Sequence, residues 1–272
     1  MKIPKAMLRN QDNSPVYVSD NSVYTILAAG ADTDGIFSVV EQSADNGTQT
    51  PWHLHENQAE TFYVMDGAVT FWVADKVYQA KKGAFISIPK NTRHRFEVIS
   101  SKTRILNSFY PAGFEQFYIN NLPEAKTGLT EEDKPELNWQ IIGDGKNDWD
   151  TVLLDKESNL DHAGDGGEIP FIRYRTDGPG LWGLGLLWVV MADAEQTSSV
   201  HSFIDELIPQ GPSAAPHIHQ AAEEIFYILD GEMTFFTGDE WKPLKATPNS
   251  LVVVPKGTKH SFQIDTPTVH LV

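Results

Sequence analysis

The chain contains its own sequence twice. GTQTPWHLHENQAETFYVMDGAVTFW, starting at Gly47, matches GPSAAPHIHQAAEEIFYILDGEMTFF, starting at Gly211. The offset is 164 (217 − 53 for the first histidines) and holds through Gly67 and Gly231. Further on, IPKNTRHRFEV matches VPKGTKHSFQI at an offset of 166 (260 − 94). The second copy therefore carries two extra residues, and TGDEWKPLKATP is where a longer hairpin fits. Upstream, ILAAGADTDGIF faces VMADAEQTSSVH. A repeat this long spans most of a domain, so the chain reads as two related domains.

Each copy reads as strand. ETFYVM, AVTFWV, AFISIP, EIFYIL, EMTFFT and LVVVP are short and rich in β-branched and aromatic residues. DG, GD, NG and KG pairs punctuate them every ~8–12 residues, as in an all-β barrel or sandwich. Helix signals are few, and TEEDKPE from Thr130 reads as one short capped turn. The expected division is a first barrel over residues 1–121, a polar connector over 122–168 and a second barrel over 169–272. GDGKNDWD, within the connector, alternates acidic side chains but lacks the downstream glutamate of a calcium loop, so it reads as solvated.

Six of the nine histidines fall at matched positions: His53, His55 and His94, then His217, His219 and His260. The matched acids are Glu60 and Glu224. In a strand, residues two apart point to the same side. His53 and His55 therefore project together, Glu60 shares parity with Phe62 and Val64, and His94 with Phe96 and Val98. The second copy repeats this with His217 and His219, with Glu224 beside Phe226 and Ile228, and with His260 beside Phe262. Glu223 is the rival acid there, but Glu224 keeps the six-residue spacing to Gly231 that Glu60 keeps to Gly67.

Four ionisable groups converging among apolar side chains are costly to bury uncompensated. A divalent cation removes that cost. Three imidazoles and one carboxylate suit Mn, Fe, Co, Ni, Cu or Zn, one ion per barrel. A single such histidine would read as a core filler; the same four-residue set twice at one spacing does not. His162, His201 and His270 have no matched partners and read as solvated or structural.

Composition narrows the rest. With no cysteine, any metal must sit on His, Asp, Glu or backbone oxygen. The net charge of −16 and pI near 4.8 argue against nucleic acid or a membrane surface as partner. MKIPKAMLRNQDNSP lacks the apolar core of a signal peptide and no stretch has the length of a membrane span, so the cytoplasm is the default location.

These residues resemble the cupin family. Gly47, His53, His55, Glu60 and Gly67 match the pattern G-x5-H-x-H-x4-E-x6-G, and Gly83, Pro89 and His94 match its second motif. Asn91 replaces a glycine there, and Asn249 stands where the second copy would have one; both residues tolerate left-handed geometry. Gly211, His217, His219, Glu224, Gly231, Pro255, Gly257 and His260 match in the second copy. The implied fold is all-β, with two cupin jelly-roll (double-stranded β-helix) barrels. Within the two-cupin proteins the chain most resembles the bacterial quercetin 2,3-dioxygenases, through TDGIF, HENQAETFYVMDGAVTFWV, IPKNTRHRFEV and PAGFEQFY. The likeness is weaker in the second half, where Val272 aligns with Leu106 and NSFYPAGFEQFY has no counterpart.

That resemblance implies ring-opening dioxygenation of a flavonol with release of carbon monoxide, O2 as co-substrate and a homodimer. Glu60 and Glu224 would be the catalytic carboxylates, and strand parity nominates Phe62, Phe71 and Phe96 as the wall receiving an aromatic substrate. Three rivals stand beside it: a metal-dependent decarboxylase or oxidase of a small dicarboxylate, an isomerase of a sugar or keto acid, and a non-catalytic metal-binding cupin. Decarboxylation of a dicarboxylate would want an inward cation, but Arg93 and Arg95 have the parity opposite to His94 and should point outward.

Overall fold

The computed structural model describes residues 5–125, 133–136, 149–154, 168–183, 185–211 and 214–272. Residues 130–132 of TEEDKPE, residues 143–148 of the acidic loop, His162 and the greater part of the connector lie outside these. The described residues divide into two compact units, each built mostly from antiparallel strands. Among them no helix is long and apolar enough to cross a membrane.

The first unit, Pro15–Tyr174 with Ala194–His201, pairs a seven-stranded with a five-stranded sheet. Ala59–Asp66 lies inside the larger sheet, between Ala84–Ile88 and Lys102–Tyr110. His53–His55, His94–Val98 and Ala68–Val73 are neighbours in the smaller one. Alternation buries one face of each strand against the other sheet. Phe62 and Val64 from one sheet thus meet Val69, Phe71, Val73 and Phe96 from the other in one core. A second cluster joins Tyr24, Ile26 and Phe109 to Phe117 and Tyr118 of the short helix Glu115–Asn121.

The second unit takes the N-terminal segment through Ser14, Arg175–Asp193 and Ser202–Val272. Its seven-stranded sheet contains Glu224–Asp230 and its three-stranded sheet contains His260–Ile264. Phe226, Ile228, Phe235, Val252 and Phe262 fill its core at the positions that mirror the first. The hairpin turn between Met233–Thr237 and Lys242–Ala246 spans four residues, against two between Ala68–Val73 and Lys76–Lys81. That difference is the two-residue change of offset between the copies.

The units depart from the expected boundaries at three sheet edges. Met7–Arg9, expected in the first barrel, pairs with Leu251–Val253 of the second unit. Thr151–Leu153, expected in an irregular connector, pairs with His53–His55. Phe171–Tyr174, expected in the second barrel, pairs with Ala84–Ser87 of the first unit. Each segment supplies backbone partners to a strand that would otherwise present unpaired amides and carbonyls.

Candidate metal centres

His53 and His55 sit two apart on one short strand, and His53 lies directly opposite His94 on the neighbouring strand. Glu60 is the second residue of the strand Ala59–Asp66 in the facing sheet, two residues before Phe62. All four side chains are buried, at 5% exposure or less. Their ligand atoms lie within 4.8 Å of one another. The second unit rebuilds the group: His217 bridges His260, and the ligand atoms of His217, His219, Glu224 and His260 converge within the same limit. Glu224 carries the carboxylate 2.7 Å from His260 and 3.2 Å from His219, whereas Glu223 pairs with Lys256 at 3.2 Å.

The hydrogen bonds prepare these imidazoles to bind a cation. His53 Nδ1 donates to Pro51 O at 2.9 Å and His94 Nδ1 to Thr92 O at 2.8 Å. His217 and His260 do the same to Ala215 O and Thr258 O. A carbonyl only accepts, so each Nδ1 carries a proton, and each Nε2, which for His94 lies 2.9 Å from Glu60 Oε2, is the atom that would offer its lone pair to a bound cation. Burial, then the neighbouring His94 and His55, hold His53 well below the usual imidazole range, so it stays neutral and able to ligate. Burial alone would raise Glu60, but its interactions with the His55 and His94 imidazoles outweigh it and hold the carboxyl well below its usual range.

The groups are incomplete as hydrogen-bond networks. His55 Nε2 is buried without a hydrogen-bond partner, 3.5 Å from Glu60 Oε2. In the second group His260 Nε2 and Glu224 Oε2 also lack a well-formed hydrogen bond despite their closeness. Orphaned lone pairs beside a carboxylate are what a divalent cation satisfies, and a set of three nitrogens and one carboxylate suits a transition metal. Each group is therefore suited to bind one metal ion.

The two groups differ in cover. Around the first, Phe114 and Tyr118 join Phe62 and Phe96 to close a cavity of about 10 Å³, room for roughly one water. In the second, His219 is 44% exposed and Glu224 30%. Of the nominated aromatic wall, Phe62 and Phe96 reach the first cavity. Phe71 lies beneath them with its ring 4.9 Å from Phe62, wholly within the core. Arg93 and Arg95 point away from the site and stack on Trp52 and Trp72, each at 3.8 Å. Among the described residues, neither they nor any other Arg or Lys lines the first cavity.

Several residues near the sites had not been singled out from sequence. Asn107 donates to Glu60 Oε1 at 3.0 Å and to Thr61 O. Its parity with Ile105 and Phe109 was the available signal. Phe114 and Tyr118 belong to PAGFEQFY, which had stood out only as a family likeness. Of the unmatched histidines, His201 is stacked on Tyr110 at 4.5 Å, and burial lowers its pKa to about 4. His270 bonds Asp205 at 2.9 Å.

Asn91 and Asn249, at the two replaced glycines, adopt φ of 58° and 68°. That is the left-handed conformation asparagine tolerates better than other non-glycine residues.

Comparison with known proteins places these groups in context. The Cupin domain family matches the chain twice, over residues 40–108 and 203–272. The quercetin 2,3-dioxygenase of Bacillus subtilis is 25% identical over 259 residues, covering 92% of this chain and 76% of that one. The Aspergillus japonicus quercetin 2,3-dioxygenase is 21% identical over 119 residues, covering 41% of this chain and 34% of that one. Among solved structures, the Lactobacillus farciminis oxalate decarboxylase superposes with a TM-score of 0.68 at 12% identity, covering all of this chain and 85% of that one. The Bacillus subtilis oxalate decarboxylase, which has Mn(II) centres, gives 0.66 at 14% identity, covering all of this chain and 77% of that one. At such identities the structural likeness speaks for the fold alone. The sequence relatives support a metal-dependent enzyme.

Proposed function

This chain belongs to the cupin family, and from that premise we propose that it is a ring-cleaving dioxygenase of a flavonol or related aromatic enol. The observation that carries the reading is the make-up of the first site: three imidazoles and one carboxylate, walled by aromatic rings, with no Arg or Lys among the described residues that line it. A dicarboxylate substrate would call for such a cation, so the same observation counts against decarboxylation. The likeness to a quercetin 2,3-dioxygenase over most of the chain supports it too.

A divalent transition metal held by His53, His55, Glu60 and His94 would supply Lewis acidity toward a substrate hydroxyl oxygen. The protein's own groups have separable parts. The backbone-bonded imidazoles hold their lone pairs in place. Glu60 stands where it could take the hydroxyl proton on Oε2, while Asn107 steadies Oε1. Phe62, Phe96 and Phe114 would face flat rings and keep water out. The cavity is far smaller than the ~300 Å³ that a drug-sized ligand needs. Substrate entry there therefore requires Phe114 and Tyr118 to move aside.

The test is spectrophotometric. Protein loaded separately with Mn, Fe, Co, Ni or Cu is expected to bleach the visible band of quercetin in air, with matching O2 consumption, for at least one metal. An unchanged band with every metal sinks the reading. Conversion of oxalate to formate by the same preparations would replace it with decarboxylation.

A further inference from the structure

We propose that Asp150 and Thr151 are positioning residues for the first metal site. They would fix the His55 imidazole from a segment 95 residues further along the chain (150 − 55). The inference rests on reading that site as a metal centre.

Thr151–Leu153 adds a strand beside His53–His55, with Thr151 directly opposite His55 and Leu153 opposite His53. The strand is pinned at both ends. At one end Leu154 N donates to Trp52 O at 2.9 Å. At the other, Asp150 turns its carboxylate back onto the loop that links His55 to Glu60. Its Oδ2 accepts from Asn57 N at 2.6 Å and Gln58 N at 2.9 Å, and its Oδ1 from Asn57 Nδ2 at 2.7 Å. Charge-assisted bonds to successive backbone amides are among the stronger local ties a side chain can make.

The consequence falls on His55. Its Nδ1 lies 3.1 Å from Thr151 Oγ1 and 3.3 Å from Asp150 O. The Thr151 hydroxyl donates its own proton to Trp149 O at 3.2 Å, so toward His55 it can only accept. The Asp150 carbonyl can only accept as well. Both contacts therefore require the proton on Nδ1, so that a metal held beside Glu60 would meet the lone pair of the buried, unpartnered Nε2. The other five ligand histidines differ. Four find a carbonyl two residues before themselves in sequence, and His219 Nδ1 has no hydrogen-bond partner among the described residues. His55 instead draws its orientation from a distant segment.

Partners of this kind set the tautomer and ring plane of a ligand histidine, and losing one typically weakens metal binding by roughly 10–100-fold. The experiment uses the full chain carrying His217→Ala and His219→Ala, so that one ion per chain reports the first site. Cu(II) is the probe, read by chelator competition and by its EPR spectrum. Thr151→Val keeps the shape and removes the hydroxyl; Asp150→Ala removes the carboxylate; Thr151→Ser restores the hydroxyl. Expected are a 10–100-fold weaker affinity and an altered EPR signal in Thr151→Val and Asp150→Ala, with both restored in Thr151→Ser.

Wild-type affinity and spectrum in Thr151→Val overturn the proposal, whether or not Asp150→Ala folds. So does a Thr151→Ser variant as weak as Thr151→Val, because the hydroxyl would then not be the operative group. A parent chain that binds no Cu(II) at all overturns the metal-site reading, and the inference with it.

Discussion

Glu206 occupies in the second unit the position Gln42 occupies in the first. Gln42 pairs across its sheet with Ile105, and Glu206 pairs with Leu271, the residue equivalent to Ile105. The exchange of an amide for an acid has an electrostatic cost. Burial raises the Glu206 pKa to about 7, opposed by a hydrogen bond from Trp188 and assisted by the charges of Glu224 and Asp205.

Between the unfolded value of 4.5 and about 7, the folded protein therefore keeps a proton that the unfolded chain has released. The resulting stability is fully present below the unfolded pKa and is lost as pH rises through the folded one. Glu206→Gln should abolish that fall. Chemical denaturation of metal-free protein at pH 5 and pH 8 should show the wild type losing up to roughly 3 kcal/mol more than the variant over that interval. Parallel profiles would show that Glu206 is solvated.

The carboxylate ligands should separate the two sites. Wild-type protein is expected to bind two ions per chain, and Glu60→Ala or His55→Ala one, by elemental analysis of folded protein. Turnover should vanish with Glu60→Ala, because enclosure by Phe114 and Tyr118 keeps water from the reacting groups. Glu224→Ala, altering the more exposed site, should lower turnover by less than about tenfold, or about 1.4 kcal/mol. The reverse ranking would assign the chemistry to the open site.

Two glycines with the same backbone angle should respond unequally to an added methyl. Gly67 and Gly83 have φ of +84° and +83°. A Cβ on Gly67 would lie 2.5 Å from Lys102 O, whereas one on Gly83 meets nothing within 4 Å. Gly83→Ala should cost about 1–2 kcal/mol, the price of left-handed geometry. Gly67→Ala should cost at least ~2 kcal/mol more, because backbone must shift. Thermal unfolding decides it, and equal costs would refute the steric reading.

Leu8 packs against the core of the second unit from the strand Met7–Arg9. Leu8→Asp places a charge in that contact. Hydrogen exchange should then accelerate at Leu251–Val254 while Ile86–Ile88 keeps its protection. Faster exchange confined to Ile86–Ile88 would tie the segment to the first unit.

Strand parity and the repeat made the convergence of His53, His55, Glu60 and His94 legible, because both rules act over a few residues. The same parity put Phe71 on the inward face, correctly, but it cannot distinguish the floor of a cavity from the packed layer beneath. The return of Asp150 and Thr151 onto His55 left no local trace. Its cause is the unpaired edge of a three-residue strand, which becomes visible only once the sheet is assembled. The same holds for Met7–Arg9, whose short polar-flanked sequence gives no hint of a partner near the other end of the chain.

That last pairing also orders the birth of the molecule. Leu8 leaves the ribosome 244 residues before Val252 (252 − 8), the residue it pairs with. At ~5–20 residues per second, that is a wait of roughly 12–50 s. The strands from Val16 to Tyr174 are all made within that interval and can close on one another. The early segment must pass the same time without its sheet, as a short exposed strand-former available to chaperones and to neighbouring chains. The second unit is thus the slower to mature.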